Sequence, residues 1–203
     1  MRSVPALAAA CATAAILAGC SNDTAGSGSA PELPAATTEA TASEATAEQA
    51  ADEPERNERG NIVKQLGEEA GFAGFGGQVG DDTNVLFAID KVEVDPSCDQ
   101  YGMAAESDRT LLLHVRVATG SSAETASMAL GVLNPYSFSE IDANGVTHAA
   151  ESGMCTDPNA SITMQNFGPN QKYAGTLELI VPEANGSLIL SSPGMEGGWE
   201  WDY

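Results

Sequence analysis

From Asn84 onward, short hydrophobic runs alternate with polar positions at a period of two and are separated by turn residues. Residues 110–119 are the cleanest case. Leu111, Leu113, Val115 and Val117 share one face, with Leu112, His114 and Arg116 on the other, which predicts a central strand. Residues 84–94 set Val85, Phe87 and Ile89 in one phase and Val92 and Val94 in the other, so a bulge or bend is expected near Asp90-Lys91. Residues 136–141 and 146–149 flank Asp142-Ala143-Asn144-Gly145, whose Asn-Gly pair suits a type I′ hairpin turn. Residues 173–181, stopped by Pro182, and 187–192 add two further strands, and Trp199, Trp201 and Tyr203 at period two suit a closing one. Residues 123–133 read as a loop or a helical turn, and 61–69 as a short helical turn. About seven strands, with Leu111, Leu113, Val115, Val117, Leu177, Leu179, Trp199 and Trp201 as the expected core, predict an all-β, immunoglobulin-like antiparallel β-sandwich.

The N-terminal quarter has no such pattern. Arg2 followed by an apolar run over residues 5–18 has the form of a secretory signal and is too short for a stable membrane span. Leu17-Ala18-Gly19-Cys20 resembles the bacterial lipobox, which implies that residues 1–19 are removed and that Cys20 carries diacylglycerol as the first mature residue. Two acyl chains give the double hydrophobic signal that lasting attachment needs. Cys11 is a poorer match, with too few residues ahead of it. Residues 20–60 are Ala, Thr, Glu, Ser and Pro with Leu33 as the only large aliphatic side chain, so they are expected to be a disordered acidic tether. A glycine-rich lead-in over 61–77 then precedes the sandwich at 78–203. It is not a phosphate loop, because no Gly-Lys-Ser/Thr follows the glycines.

Charge narrows the partners. The 203 residues carry 29 acids against 8 Lys and Arg, a net charge of −21, which excludes a nucleic-acid ligand and disfavours anionic bilayer surfaces. Cys98 and Cys155 are the only cysteines in the folded part after processing, and an exported setting predicts that they form a disulfide. His114 and His148 lack metal-site spacing, and neither a Gly-x-Ser-x-Gly elbow nor a Ser-x-x-Lys motif is present, so no catalytic residue is assigned. Asp142-x-Asn144-Gly145 lacks the further ligands of a calcium loop and reads as a turn. Asp81, Asp82, Asp95 and Asp99, near strand ends, are the weak candidates for a cation site. No cofactor is expected. Trp199 and Trp201 read as core in preference to an exposed platform.

Phe75-Gly76-Gly77-Gln78, Asn134-Pro135, Gly168-Pro169-Asn170-Gln171-Lys172, Gly175-Thr176-Leu177-Glu178-Leu179, Val181-Pro182 and Gly198-Trp199-Glu200-Trp201 together resemble the uncharacterised immunoglobulin-like domain family of Gram-positive lipoproteins. That family is related in fold to a secreted mycobacterial immunoprotective antigen. The resemblance spans about residues 76–203 and implies an extracytoplasmic sandwich with no catalytic residues to transfer. The leading expectation is a non-catalytic binding module anchored to the outer face of the cell membrane through Cys20, with an envelope or extracellular partner. The alternatives are a Ca²⁺-dependent structural or stress-response lipoprotein and, third, a cell-wall hydrolase.

Overall fold

The structure, a computed structural model, describes residues 55–73, 84–191 and 197–203. The expected signal segment, Cys20, the expected tether as far as Pro54, and Asp81 and Asp82 lie outside the described residues. Ten strands are described: β1 (Ile62–Val63), β2 (Ala70–Phe72), β3 (Val85–Val94), β4 (Arg109–Thr119), β5 (Phe138–Ile141), β6 (Thr147–Ala149), β7 (Glu151–Ser152), β8 (Lys172–Val181), β9 (Ser187–Leu190) and β10 (Trp199–Asp202). They form two five-stranded sheets, in the orders β1-β10-β9-β5-β6 and β2-β3-β4-β8-β7. All neighbours are antiparallel except β1 and β10, the first and last strands, which run parallel.

The period-two pattern explains this architecture directly. β4 lies between β3 and β8, with Leu113 opposite Val92 on one side and Leu177 on the other. Its inward residues meet Leu188, Leu190, Trp199 and Trp201 from the facing sheet in one continuous core. All eight residues expected in the core are buried there. The chain is therefore the expected all-β, immunoglobulin-like sandwich, closed by apolar burial between two inner faces. The register of β3 shifts between Ile89 and Lys91, so the expected bulge is present. Its effect is to return Val92 to the inner face, where it packs on the core, so that the two valines continue the face of Val85, Phe87 and Ile89.

Four local expectations are corrected. Residues 123–132 are a helix, α1 (Ala123–Val132); Ser122 caps its start by accepting the Thr125 N–H, and Ala126, Ala129 and Val132 are buried. Their small side chains give a weak hydrophobic stripe, which is why the pattern alone left the segment ambiguous. The 142–145 hairpin is not type I′, since Gly145 has φ 80° but Asn144 is not in the left-handed region. Gly145 N–H donates to Asp142 O and Asp142 N–H to Val146 O, the pairing of a type I turn closed by a glycine bulge. The Asp142 carboxylate, accepting from the N–H groups of Asn144 and Val146, favours this form. Residues 61–69 form no helical turn: Ile62–Val63 is strand β1, paired with β10, and a turn leads on to β2. The sandwich consequently begins well before residue 78 and takes in segments read as tether and lead-in.

What holds β1 in place is Glu200. It alternates with Trp199 and Trp201 and so points away from the core, yet it is buried because residues 57–61 fold over it. Its carboxylate accepts from Asn57 Nδ2 (2.8 Å) and Asn61 Nδ2 (3.0 Å) and is gripped on both oxygens by the Arg59 guanidinium. Burial acts to raise the Glu200 pKa, but Arg59, Asn61 and Asn57 together outweigh it and hold the carboxyl below its ordinary value.

A second buried carboxylate faces the other way. Glu140 is opposite the core residue Leu188, so it points inward and is fully buried. The Tyr203 hydroxyl donates to its Oε1 at 2.5 Å, while Oε2 has no hydrogen-bond partner among the described residues. Burial, and then the neighbouring Glu140 carboxylate, push the Tyr203 phenol far above its usual pKa, so it stays a donor.

Two predictions follow from these carboxylates. The Glu200 contribution is present in full above the ordinary carboxyl value of 4.5 and is lost as pH falls through the lowered folded value. Thermal melts should accordingly show Glu200→Gln to be less stable than the parent at neutral pH, with the gap closing in acid; a gap that widens in acid would contradict this. Tyr203→Phe strips Glu140 of its donor and should cost about 1–3 kcal/mol in urea unfolding. A loss near zero would mean that the phenol does not support Glu140.

Candidate functional site

Along the β7–β8 side of the second sheet, two connections are locked together by their backbones and a third lies beside them. The β3–β4 connection carries Cys98, which is bonded to Cys155 in the β7–β8 connection. Asp99 N–H donates to Cys155 O (2.8 Å) and Met103 N–H to Met154 O (2.8 Å), so the two loops pair like a fragment of sheet. From β8, Glu178 points outward between the inward Leu177 and Leu179. Its carboxylate accepts from Cys155 N–H (2.5 Å), Thr156 N–H (3.0 Å) and the Thr156 hydroxyl (2.9 Å). The β7–β8 connection then returns along β8, with Ser161 bridging Thr176 and Ile162 buried as a plug. Gly175 permits this close approach: a Cβ there would stand 2.8 Å from Ala160 O and 3.0 Å from Ile162 N.

The third connection follows α1. Asn134 Nδ2 donates to Gly131 O (2.7 Å), closing the helix end, while its Oδ1 accepts the Tyr136 N–H (3.0 Å) and starts the 3₁₀ turn Pro135–Ser137. One asparagine thus ends a helix and presents a tyrosine. A comparable turn, Ile162–Met164, is capped by Ser161 and presents Met164.

Between these connections lies an open groove of about 1060 Å³. Tyr101, Tyr136, Met154 and Met164 line it, and they are 89, 79, 62 and 64% exposed. Met103, paired with Met154 across the two loops, is 60% exposed. Isolated apolar residues on a surface are ordinary, but two tyrosines and three methionines on adjoining locked loops make a patch of the kind that binding surfaces use. The tyrosines offer ring faces with a polar tip, and the methionines offer adaptable, polarisable contact. Asp99, Asp157 and Glu178 also line the groove, and among the described residues no Lys, Arg or His does.

The residues singled out from sequence are distributed as follows. Cys98 and Cys155 form the expected disulfide and become part of the groove's frame. Of the four aspartates considered for a cation, Asp81 and Asp82 lie outside the described residues, and Asp99 lines the groove. Asp95 is engaged elsewhere, pairing with Arg109 (3.0 Å) and accepting the Thr110 N–H (3.2 Å). Among the described residues no three His, Cys, Asp or Glu side chains converge as a metal site would require. His114 contacts Glu93 (2.6 Å) on the second sheet and His148 contacts Asp142 (3.3 Å) on the first, so the histidines are not brought together. Trp199 and Trp201 are core. Tyr101, Tyr136, Met154 and Met164 escaped the sequence reading. The available signal was that each is a large apolar side chain within a polar, turn-rich stretch.

The fold and the groove define this part of the chain as a two-sheet β-sandwich with a loop-built apolar surface. No family model matches the chain, and no curated protein matches it. Among solved structures it is similar to the 1.5 Å crystal structure of MPT63, a secreted protein from Mycobacterium tuberculosis, with 16% identity and a TM-score of 0.44 over 70% of this chain and 98% of that chain.

The disulfide closes a separation of 57 residues, and restricting an unfolded loop of this size stabilises by about 2–4 kcal/mol. Replacing both cysteines with serine should lower urea stability by that amount. Amide exchange should quicken in residues 99–103 and 153–156 and stay slow in β4. Unchanged protection in those loops would mean that Glu178 and the backbone pairing suffice to hold the groove.

Proposed function

We propose that this chain is a non-catalytic binding protein of the cell envelope, anchored on the extracytoplasmic face by lipid on Cys20, with the Tyr101/Tyr136/Met154/Met164 groove as its binding surface. The observation that carries this reading is the gathering of those large, exposed apolar side chains on loops fixed by a disulfide and by backbone hydrogen bonds. A surface held rigid before contact loses little entropy on binding. Anchoring rests on Leu17-Ala18-Gly19-Cys20 and on the resemblance to Gram-positive lipoproteins. The acidic segment after Cys20 acts in this reading as a spacer between bilayer and domain. We assign the groove binding and not chemistry, because Glu178, its most engaged carboxylate, uses both oxygens to hold Cys155 and Thr156. The calcium alternative draws no support from Asp95, whose carboxylate is taken by Arg109 and Thr110.

Two measurements test the proposal. A photo-crosslinking amino acid in place of Tyr136 should give a discrete adduct in intact cells, and one in place of the also exposed Val146 on the β5–β6 hairpin should not. Adducts from neither position, or from both alike, would defeat the groove assignment. Cys20→Ser should move the protein from the membrane to the soluble or secreted fraction, and unchanged membrane association would defeat the anchor.

A further inference from the structure

The geometry points to a positively charged, extended peptide segment with aromatic or aliphatic anchors as the ligand of this groove; we propose this as the ligand class, resting on the binding reading above. The first argument is charge complementarity. Asp99, Asp157 and Glu178 line the groove with no Lys, Arg or His among the described residues, and the chain as a whole carries −21. Such a field draws in cations and repels anions, and the low-dielectric walls of a cleft concentrate it. The second argument is the aromatic pair. A Lys or Arg side chain laid over the face of Tyr101 or Tyr136 keeps its head near the carboxylates while its methylenes cover the ring. The third is size and softness. At about 1060 Å³ the groove matches the upper end of small-molecule sites, too large for a lone small cation to fill, and its methionines accommodate varied apolar anchors.

Charge also decides against the nearer occupants. The chain's own segment after Cys20 carries Glu32, Glu39, Glu44, Glu48, Asp52 and Glu53 and would bring like charge to the groove. A second copy of so acidic a chain is opposed in the same way, as is an anionic lipid surface. A cationic segment of another extracytoplasmic protein meets no such opposition.

The test uses the full mature chain and three synthetic peptides of about ten residues, a length chosen to span the groove in extended form. The first alternates Lys with Phe and Leu, the second has Glu in place of Lys, and the third has Ser in place of Phe and Leu. Isothermal titration should show the first binding at least about tenfold more tightly than either of the others, and weakening as salt rises from roughly 0.05 to 0.5 M. Tyr136→Ala with Met154→Ala should abolish binding. The double variant Asp99→Asn, Asp157→Asn should lower affinity for the Lys peptide alone; Asn at 157 keeps the oxygen that accepts the Asn159 N–H, so the loop is retained. A thermal melt of each variant equal to the parent's shows that the frame is intact.

Equal binding of the Glu and Lys peptides would overturn the charge inference while leaving the groove as a binding surface. If no peptide binds but the Tyr136 crosslinker still yields its adduct, the peptide proposal is wrong and the groove reading stands. If both fail, both readings fall.

Discussion

Everything described in this chain depends on Phe87 finding Trp199 and Trp201. The Phe87 ring lies edge-on to Trp199 at 5.1 Å and 6.3 Å from Trp201, so the contact joins β3 of one sheet to β10 of the other. Large aromatic side chains bury more area than any others, and their contact between sheets fixes spacing as well as energy. Because β10 lies between β1 and β9, the first sheet is continuous only when this strand has docked. The same strand then organises its other face, where Glu200 gathers Asn57, Arg59 and Asn61 and so seats the first strand beside the last. One short strand thus contributes apolar closure on its inner side and a charge-assisted clamp on its outer side.

The groove inherits its rigidity from the same alternation. In β8, Leu177 and Leu179 are committed to the core, which leaves Glu178 between them facing outward at a fixed height. A carboxylate so placed can hold the Cys155 and Thr156 backbone without moving, and the disulfide ties the β3–β4 connection to the same point. The β3–β4 and β7–β8 connections therefore continue the hydrogen bonding of the sheet. On such a frame stand the exposed side chains of Tyr101, Tyr136, Met154 and Met164, with their apolar area in water. The acidic side chains of Asp99, Asp157 and Glu178 line the same groove.

The histidines and the acidic loop residues show where pattern and chemistry part. His114 and His148 are half-exposed side chains paired with single carboxylates on different sheets, which is structural use of surface charge. Asp95, read as a possible cation ligand, sits with φ 49° at the end of β3 and closes the way into β4 through Arg109 and Thr110. A carboxylate near a strand end has turn geometry to satisfy first, and in this chain it does so.

By itself the sequence determined the class of fold. Period two over residues 110–119 and 173–181 dictated strands buried on one face, the phase slip at Asp90-Lys91 dictated the bulge, and Trp199 and Trp201 at the same period dictated a closing core strand. These features are local, because the side-chain alternation of a strand is a property of consecutive residues. The pairing of Cys98 with Cys155 was also legible, since no other cysteine remained in the folded part. What only tertiary structure decided was anything made by residues distant in sequence. The seating of β1 on β10 through Glu200, the inward turn of Glu140 toward Tyr203, and the meeting of Tyr101, Tyr136, Met154 and Met164 all join separate connections. The neighbours of each of those side chains are set by how the sheets stack and where the loops cross, which no window of consecutive residues contains.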